Sequence, residues 1–340
     1  MERLTNYITA PGLVDLHVHF REPGFEYKED IKSGAAAAAA GGYAICCCMA
    51  NTNPVADTPE IIQQIIKKAE NAPITILPVG AVTKGLLGKE LTDFVALKKA
   101  GAVALSDDGM PIEDENIMYK ALKLSKEHGI LIISHCEEEE AMVKRDVKLA
   151  EKADASIHIA HISTASAVNT IREAKARGIK VTTETCPHYF SLVGEKRNSS
   201  INKKMNPPLR TQEDVDAIIL GLQDGTIDAI ATDHAPHSIE EKKLPYNEAP
   251  NGIIGLETAL AVSLTYLYHT GKLSIERIIE LMSINPRKIL SKTVGKDFIF
   301  NVGEIMFDPN EEWTVNSSEF KSKARNTPYE GMRLKGRVKV

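Results

Sequence analysis

Histidine and aspartate residues recur in this sequence at the ends of short apolar segments, where together they could hold metal ions. The first two are His17 and His19, which follow the apolar run Leu13–Leu16. Side chains alternate along a β-strand, so two histidines separated by one residue point to the same side. Later apolar segments end at Asp107 and Asp108, His135, His161 and Asp233. Imidazole and carboxylate ligands without thiolates suit zinc or a similar divalent ion with one position open for water.

The number of these residues predicts a two-metal site. Five or six ligands exceed what one tetrahedral zinc ion uses, and one carboxylate would bridge two ions. Many such sites bridge with a carboxylated lysine after the fourth strand, but here Asp107 and Asp108 stand there and the nearest lysines precede the strand. Metal-bound water has its pKa lowered from about 15.7 to about 7. Asp233 could take a proton from this water and deliver it to a leaving nitrogen. The reaction that results is the hydrolysis of an amide.

Eight apolar segments of strand length alternate with segments of helical periodicity. The predicted strands are Leu13–Leu16, Tyr43–Met49, Ile74–Val79, Val103–Ser106, Ile130–Ser134, Ile157–Ala160, Lys180–Thr185 and Ile227–Thr232. This alternation predicts an α/β fold, a (β/α)8 TIM-type barrel whose active site lies at the carboxyl ends of the strands. We assign residues 11–302 to the barrel, and residues 1–10 and 303–340 to a small β appendage from the two termini, whose truncation relative to the usual form stays open.

Arg21 suggests what the substrate carries. It lies two residues past His19, on the same face if the strand continues, and a guanidinium can clamp a carboxylate with two hydrogen bonds. A hydrogen bond to a charged group contributes roughly 1.5–3 kcal/mol. The alternative is a surface arginine paired with Glu22 or Glu26. Asn51 and Asn206 would add uncharged donors and acceptors at the same rim, although asparagines also occur in turns for backbone reasons.

The composition excludes several classes of protein. The chain of 340 residues is 43% hydrophobic, enough for one large core, and its net charge of −5 predicts no nucleic acid and no membrane partner. Met1–Ala10 lacks the apolar core of a secretory signal, so we expect a cytoplasmic protein. Five cysteines, three of them at Cys46–Cys48, form no paired zinc motif, and we expect reduced thiols in the core.

A series of short motifs resembles one known family. In chain order they read HVHFREPG, MANTNP, SDDG, SHCEE, AHISTASAV, ETCPHYF, KMNPPLR, ATDHAPH and NGIIGLETAL. Taken together, from about Pro11 to Arg333, they resemble class I dihydroorotase of the amidohydrolase superfamily. The resemblance implies reversible ring closure of N-carbamoyl-L-aspartate to dihydroorotate and water, a step of pyrimidine biosynthesis.

The resemblance also assigns residues to roles. The metal ligands that it implies are His17, His19 and Asp233 for one ion, His135 and His161 for the other, and Asp108 rather than Asp107 between them. The residues that would hold the substrate are Arg21, Asn51, Asn206, His237, Asn251 and Gly252. Asp233 would be the general base. The expected cofactor is zinc, two ions per chain, with a single ion left open. Expected partners are aspartate transcarbamoylase, with which some class I relatives work, and a second copy in a homodimer.

Two other functions stay open from the sequence. One is another cyclic-amide hydrolase, a hydantoinase or allantoinase, which Arg21 and the bridging aspartate argue against. The other is a catalytically silent scaffold for aspartate transcarbamoylase, which the complete ligand set argues against. The family also carries a longer amino-terminal part and a longer stretch between the two later histidines. Here 25 residues separate His135 from His161, just enough for one helix and one strand.

Overall fold

A barrel of eight parallel strands forms the centre of the protein. The computed structural model describes residues 7–194, 200–295 and 302–339. Strand β1 (Ile8–Pro11) belongs to a separate small sheet. The barrel strands are β2 (Leu13–Val18), β3 (Tyr43–Cys48), β4 (Thr75–Gly80), β5 (Ala104–Leu105), β6 (Leu131–Ser134), β7 (Ile157–Ile159), β8 (Val181–Thr185) and β9 (Ala229–Ile230).

The strands lie side by side in chain order from β2 to β9, and every neighbouring pair is parallel. A parallel bridge between Val18 and His234 brings the first barrel strand against the chain that follows the last, and the amide of His19 donates to the carbonyl of His234 at 2.9 Å. This contact closes the ring. The predicted (β/α)8 barrel is therefore confirmed.

Helices connect the strands and form the outer layer. They are α1 (Ile31–Ala40), α2 (Pro59–Ala69), α3 (Phe94–Ala100), α4 (Glu115–His128), α5 (Glu139–Ala153), α6 (Ala165–Ala176), α7 (Pro187–Ser191), α8 (Gln212–Asp224), α9 (Ile239–Lys242), α10 (Ala259–Ser263), α11 (Ile275–Ile279) and α12 (Asn285–Val294). Local sequence sets their ends. For α4, the Asp114 side chain accepts from the Asn116 amide at the start, and Gly129 ends the helix with φ 61°.

The interval between the two later histidines holds one helix and one strand, α5 and β7, as its length predicts. All five cysteines are buried and unpaired, which agrees with the expectation of core thiols. Within the described ranges, no helix is both long and apolar enough to cross a lipid bilayer.

The terminal segments form the predicted β appendage. Strand β1 pairs antiparallel with β10 (Glu304–Thr314), which pairs antiparallel with β11 (Arg333–Lys339). Phe307 of β10 and Leu334 of β11 are fully buried and belong to the main hydrophobic core. The small sheet therefore packs against the barrel layer. Residues 1–6 and Val340, which the sequence also assigned to the appendage, lie outside the described residues.

Candidate active site

The six predicted metal ligands meet at the carboxyl end of the barrel. His17 lies in β2, and the others follow the ends of β2, β5, β6, β7 and β9 within three residues. All six are buried. Two of them, His161 (φ 32°) and Asp233 (φ 48°), have a left-handed backbone. Such conformations cost on the order of 1–3 kcal/mol each in a residue other than glycine and are typical of functional sites.

Asp108 occupies the centre of this cluster. Its Oδ1 lies 3.1 Å from His17 Nε2 and 3.2 Å from His135 Nδ1, and its Oδ2 lies 3.3 Å from His19 Nε2. Two overlapping groups share it. They are His17, His19 and Asp108, and Asp108, His135 and His161, each with its ligand atoms within 4.8 Å of one another. One carboxylate therefore stands between two sets of histidines.

Asp233 lies beside the first of these groups. Its Oδ1 is 3.1 Å from His19 Nε2 and 3.8 Å from His17 Nε2. Burial raises the pKa of the Asp233 carboxyl, but the hydrogen bond from His19 and the nearby His17 outweigh it and hold the pKa below its usual value. Asp233 is therefore an ionised carboxylate at neutral pH.

Asp107 faces away from the histidines. Its Oδ1 accepts hydrogen bonds from the backbone amides of Val82 at 2.7 Å and Thr83 at 3.0 Å, and its Oδ2 accepts from the Thr83 hydroxyl. It shapes the loop that follows β4. Of the two aspartates that the spacing left open, Asp108 is the one directed into the cluster.

The donor set fits a divalent metal ion. Buried polar atoms normally have hydrogen-bond partners. Among the described residues, His17 Nε2 and Asp108 Oδ1 are buried without one, although they face each other. Burial alone would raise the pKa of the Asp108 carboxyl, but His17, His135 and His161 hold it well below the usual value. The arrangement thus presents ionised carboxylates and imidazole nitrogens to one small volume, which suits zinc.

Glu184, at the end of β8, was not singled out from the sequence. Its Oε1 lies 3.1 Å from His17 Nδ1 and its Oε2 lies 3.2 Å from His158 Nε2, and the side chain is fully buried. Burial raises its pKa, but hydrogen bonds with His158 and His17 prevail and lower it to about 2. An ionised carboxylate only accepts hydrogen bonds, so it holds the proton of His17 on Nδ1 and leaves Nε2 facing the cluster. The sequence feature that could have identified Glu184 is its position near the carboxyl end of a predicted buried strand.

A cavity of about 200 Å³ opens above the cluster. The predicted substrate residues that line it are Arg21, Asn51, Asn206, His237, Asn251 and Gly252. Five of the metal ligands line it too, and only His17 lies deeper. The structure therefore brings every residue of the predicted site to one place.

Arg21 reaches the cavity by a route other than the one predicted. Strand β2 ends at Val18, so strand alternation does not carry Arg21 to the histidine face. Its own left-handed backbone, with φ 62°, turns the side chain inward. There its Nε donates to the Pro236 carbonyl at 3.2 Å, and Nη2 lies 3.4 Å from His237 Nε2.

The alternative of a surface ion pair for Arg21 finds no support. Glu22 Oε1 pairs with Lys68 at 2.8 Å, and Glu26 Oε1 accepts from the Gly24 amide at 3.0 Å. Both acids are thereby engaged elsewhere. The guanidinium of Arg21 faces the cavity with no acidic partner from this pair.

Two segments of chain form the wall of the cavity beside Arg21. The first carries His237, whose Nε2 lies 2.7 Å from the Asn251 carbonyl of the second. Burial, together with the charge of Arg21, lowers the pKa of His237 to about 3, so its ring is neutral at pH 7. Gly252 has φ 127°, and a Cβ there would lie 2.7 Å from that of Ala235. Only glycine fits this approach without strain.

Asn51 connects the pocket to the metal ligands. Its Oδ1 lies 2.8 Å from His19 Nδ1, and its Nδ2 lies 3.4 Å from Asp108 Oδ2. Asn51 therefore contacts both a predicted histidine ligand, His19, and the central carboxylate, Asp108. Asn206 lines the same cavity from the segment between α7 and α8.

Comparison with known proteins identifies the family to which the chain belongs. A family model described as Dihydro-orotase-like matches residues 7–142. A protein named Dihydroorotase from Ruminiclostridium cellulolyticum is 47% identical over 362 aligned positions, which cover 98% of this chain and 85% of that protein. A Dihydroorotase from Acetivibrio thermocellus is 45% identical, with 97% of this chain and 85% of that protein covered.

Solved structures share the fold at lower identity. The dihydroorotase of Saccharomyces cerevisiae in complex with 5-fluoroorotic acid aligns with a TM-score of 0.81 at 17% identity and covers 98% of both chains. A D-hydantoinase from Thermus sp. aligns with a TM-score of 0.82 at 24% identity and covers 98% of this chain and 82% of its own. These likenesses show the fold alone. The identity to the curated relatives, over nearly the whole chain, shows that this chain belongs to the dihydroorotase family of cyclic amidohydrolases.

Proposed function

We propose that this enzyme interconverts N-carbamoyl-L-aspartate and dihydroorotate at the carboxyl end of the barrel, where Asp108 would be shared by the residues that hold two zinc ions. The observation that carries the proposal is the convergence of six buried ligands beneath a cavity that also contains Arg21. His17, His19 and Asp233 would hold one ion, and His135 and His161 would hold the other. When bound, such ions lower the pKa of water and polarise a carbonyl group.

Asp233 manages the proton in this proposal. As an ionised carboxylate beside His19, it accepts a proton from the attacking water during ring opening and passes it to the ring nitrogen that leaves. In the direction of ring closure the same carboxylate takes the proton from the attacking nitrogen. Its left-handed backbone aims the carboxylate over the histidines rather than along the barrel wall.

Arg21 and the adjacent wall hold the substrate. The guanidinium donates two charge-assisted hydrogen bonds to the ring carboxylate, and the neutral ring of His237 lies beside the same group. Asn51 and Asn206 contact the ring amides, and the backbone at Asn251 and Gly252 lies against its edge. A carboxylated cyclic amide thus has a partner for each polar group.

The substrate test compares two ring amides in one variant. Arg21→Ala should lower kcat/KM for dihydroorotate by about 10–100-fold, since a charged hydrogen bond contributes roughly 1.5–3 kcal/mol. Turnover of an uncharged ring such as dihydrouracil should fall far less. Arg145→Ala, which removes an arginine from α5 outside the cavity, is the control. Equal losses on both substrates in Arg21→Ala would remove the carboxylate role.

The curated relatives do not favour the hydantoinase or allantoinase alternative. The zinc-loaded chain, with its metal content measured, should hydrolyse dihydroorotate in preference to hydantoin and allantoin. The same assay with and without aspartate transcarbamoylase tests the proposed partner. Activity of the chain alone supports a self-sufficient enzyme, and activity only with the partner supports an obligate complex. Absence of turnover in both would refute the catalytic proposal and favour a scaffold. A cytoplasmic location and a homodimer are part of the same proposal.

A further inference from the structure

A segment outside the barrel reaches the wall of the substrate cavity. Residues 320–327, here called the C-terminal arm, leave the terminal sheet after β10 and pass over the carboxyl end of the barrel. Two acidic side chains of the barrel layer hold the arm. Glu257 accepts from the amides of Lys321 and Ser322, at 2.9 and 3.1 Å. Glu29 accepts from the Ser322 hydroxyl and, at 3.1 Å, from the Lys323 amide.

Asn326 is the residue of the arm that meets the cavity wall. It is 3% exposed, and its Nδ2 donates to the carbonyls of Ala235 at 3.0 Å and Gly252 at 3.1 Å. Its Oδ1 accepts from the His237 amide at 3.3 Å. The backbone of Asn326 also accepts from the Ile254 amide at 3.2 Å. One side chain therefore bonds to both segments of the wall beside Arg21.

These bonds use all the donors that an asparagine side chain has. The two carbonyls that it satisfies flank the residues proposed to touch substrate, since Ala235 precedes His237 by two positions and Gly252 is itself in the wall. Buried carbonyls left without a donor carry a desolvation cost, so the two segments would move if Asn326 could not donate. The Ala235 amide donates directly to the Ile253 carbonyl at 2.7 Å, and Asn326, far away in sequence, adds a second connection that fixes the spacing between His237 and Gly252.

We infer that Asn326 is a positioning residue, which sets the spacing of the two wall segments and thereby the affinity for substrate. This inference rests on the proposed function, because the proposed contacts of His237, Asn251 and Gly252 with substrate give the spacing its meaning. Asn326 contacts no metal ligand in the hydrogen-bond network, so the metal centre should be indifferent to it.

Asn326→Asp is the direct test, since it keeps the shape and replaces the two donors with an acceptor. We expect KM for dihydroorotate to rise about tenfold, which equals about 1.4 kcal/mol, with kcat within about threefold and zinc content unchanged. Asn316→Asp is the matched control. It makes the same change just before the arm, at an exposed residue whose side chain bonds, among the described residues, to Ser318 and Glu319.

A second variant and a second measurement keep the test decisive. Asn326→Ala removes the donors without adding a charge. If the aspartate variant does not fold, the alanine variant should show the same raised KM with a nearly unchanged kcat and zinc content. Hydrogen exchange of the backbone amides should rise at 235–237 and 251–254 in either variant and stay unchanged in the barrel strands. Unchanged KM and unchanged exchange in a folded variant would overturn the inference, as would a fall in kcat and zinc content with KM unaltered.

The outcomes also separate this inference from the proposed function. If wild-type protein loaded with zinc does not turn over dihydroorotate, the proposed function fails. The exchange measurement then decides alone whether Asn326 holds the two segments together. If the wild type is active and Asn326→Asp is indistinguishable from it in both readouts, only the positioning role is refuted.

Discussion

Glu184→Gln should weaken metal binding without removing a metal ligand. Glu184 is fully buried between His17 Nδ1 and His158 Nε2, at 3.1 and 3.2 Å, and as a carboxylate it accepts from both rings. A glutamine offers one oxygen and one amide group to the same two histidines. One of them must then face a donor, and when that one is His17 its proton moves to Nε2, the atom directed at the metal site.

The size of the effect follows from this competition. Loss of a partner that orients a ligating histidine typically lowers metal affinity by about 10–100-fold, or about 1.4–2.7 kcal/mol. The three-dimensional position of His17 should persist, because it lies within β2 and its amide donates to the Asp15 side chain at 3.0 Å. We therefore expect a change in zinc dissociation constant within that range and a wild-type fold.

Competition with a chelating dye at fixed pH measures the zinc dissociation constant directly, independently of turnover. Asp228→Asn is the matched control. It neutralises another carboxylate, which accepts from the Thr183 amide of β8 at 2.8 Å and from Lys175 of α6 at 2.6 Å. Within the described part of the chain, none of its hydrogen bonds involves a histidine. A zinc affinity in Glu184→Gln equal to that of the wild type, in a protein with an unchanged melting temperature, would refute the orienting role.

Two further changes test the proton chemistry and the anchoring of the arm. Asp233→Asn should keep the fold and most of the metal but lower kcat by about 10²–10⁴-fold. Asp216→Asn, at an exposed position, is the control. A near-normal kcat in Asp233→Asn would contradict the assignment of Asp233 as the general base. Burial raises the pKa of Glu257 from 4.5 to about 7, so ionisation destabilises the fold progressively as pH rises between those values. Glu257→Gln keeps an acceptor for the Lys321 and Ser322 amides. In urea unfolding, the increase in the free energy of unfolding caused by Glu257→Gln should be about 1–3 kcal/mol larger at pH 8 than at pH 5. An increase that is the same at both pH values would contradict this prediction.

The sequence predicts the barrel, and the convergence of the histidines and aspartates at one end of it, because both follow from short-range rules. Alternating apolar strands and amphipathic helices leave few topologies, and the carboxyl ends of parallel strands must converge. His135 and His161 could therefore be placed together although 25 residues separate them. Short-range rules cannot distinguish Asp107 from Asp108, because both follow β5. The hydrogen bonds of Asp107 to the loop after β4 decide which of the two points into the cluster.

The residues that support the site were harder to find from the sequence. Their role depends on which buried imidazoles and carbonyls the rest of the fold leaves without hydrogen-bond partners. Glu184 matters because two imidazoles approach it from β2 and β7. Asn326 matters because two wall segments present carbonyls to it across 91 and 74 positions of sequence. Neither requirement is visible locally, since a glutamate in a strand or an asparagine before a threonine has many ordinary uses.

Arg21, His161 and Asp233 show why the site lies just past the strand ends rather than within them. Within a strand, pairing with both neighbours fixes the backbone, and each side chain points either into the barrel or out of it. Beyond the last ladder hydrogen bond the backbone is free to adopt a left-handed turn, as these three residues do with φ of 62°, 32° and 48°. Each turn costs on the order of 1–3 kcal/mol, so the surroundings must compensate. Contacts such as Arg21 Nε with the Pro236 carbonyl and Asp233 with His19 supply part of that compensation. A sequence pattern built on strand alternation could therefore identify these residues, but it could not give the directions in which they point.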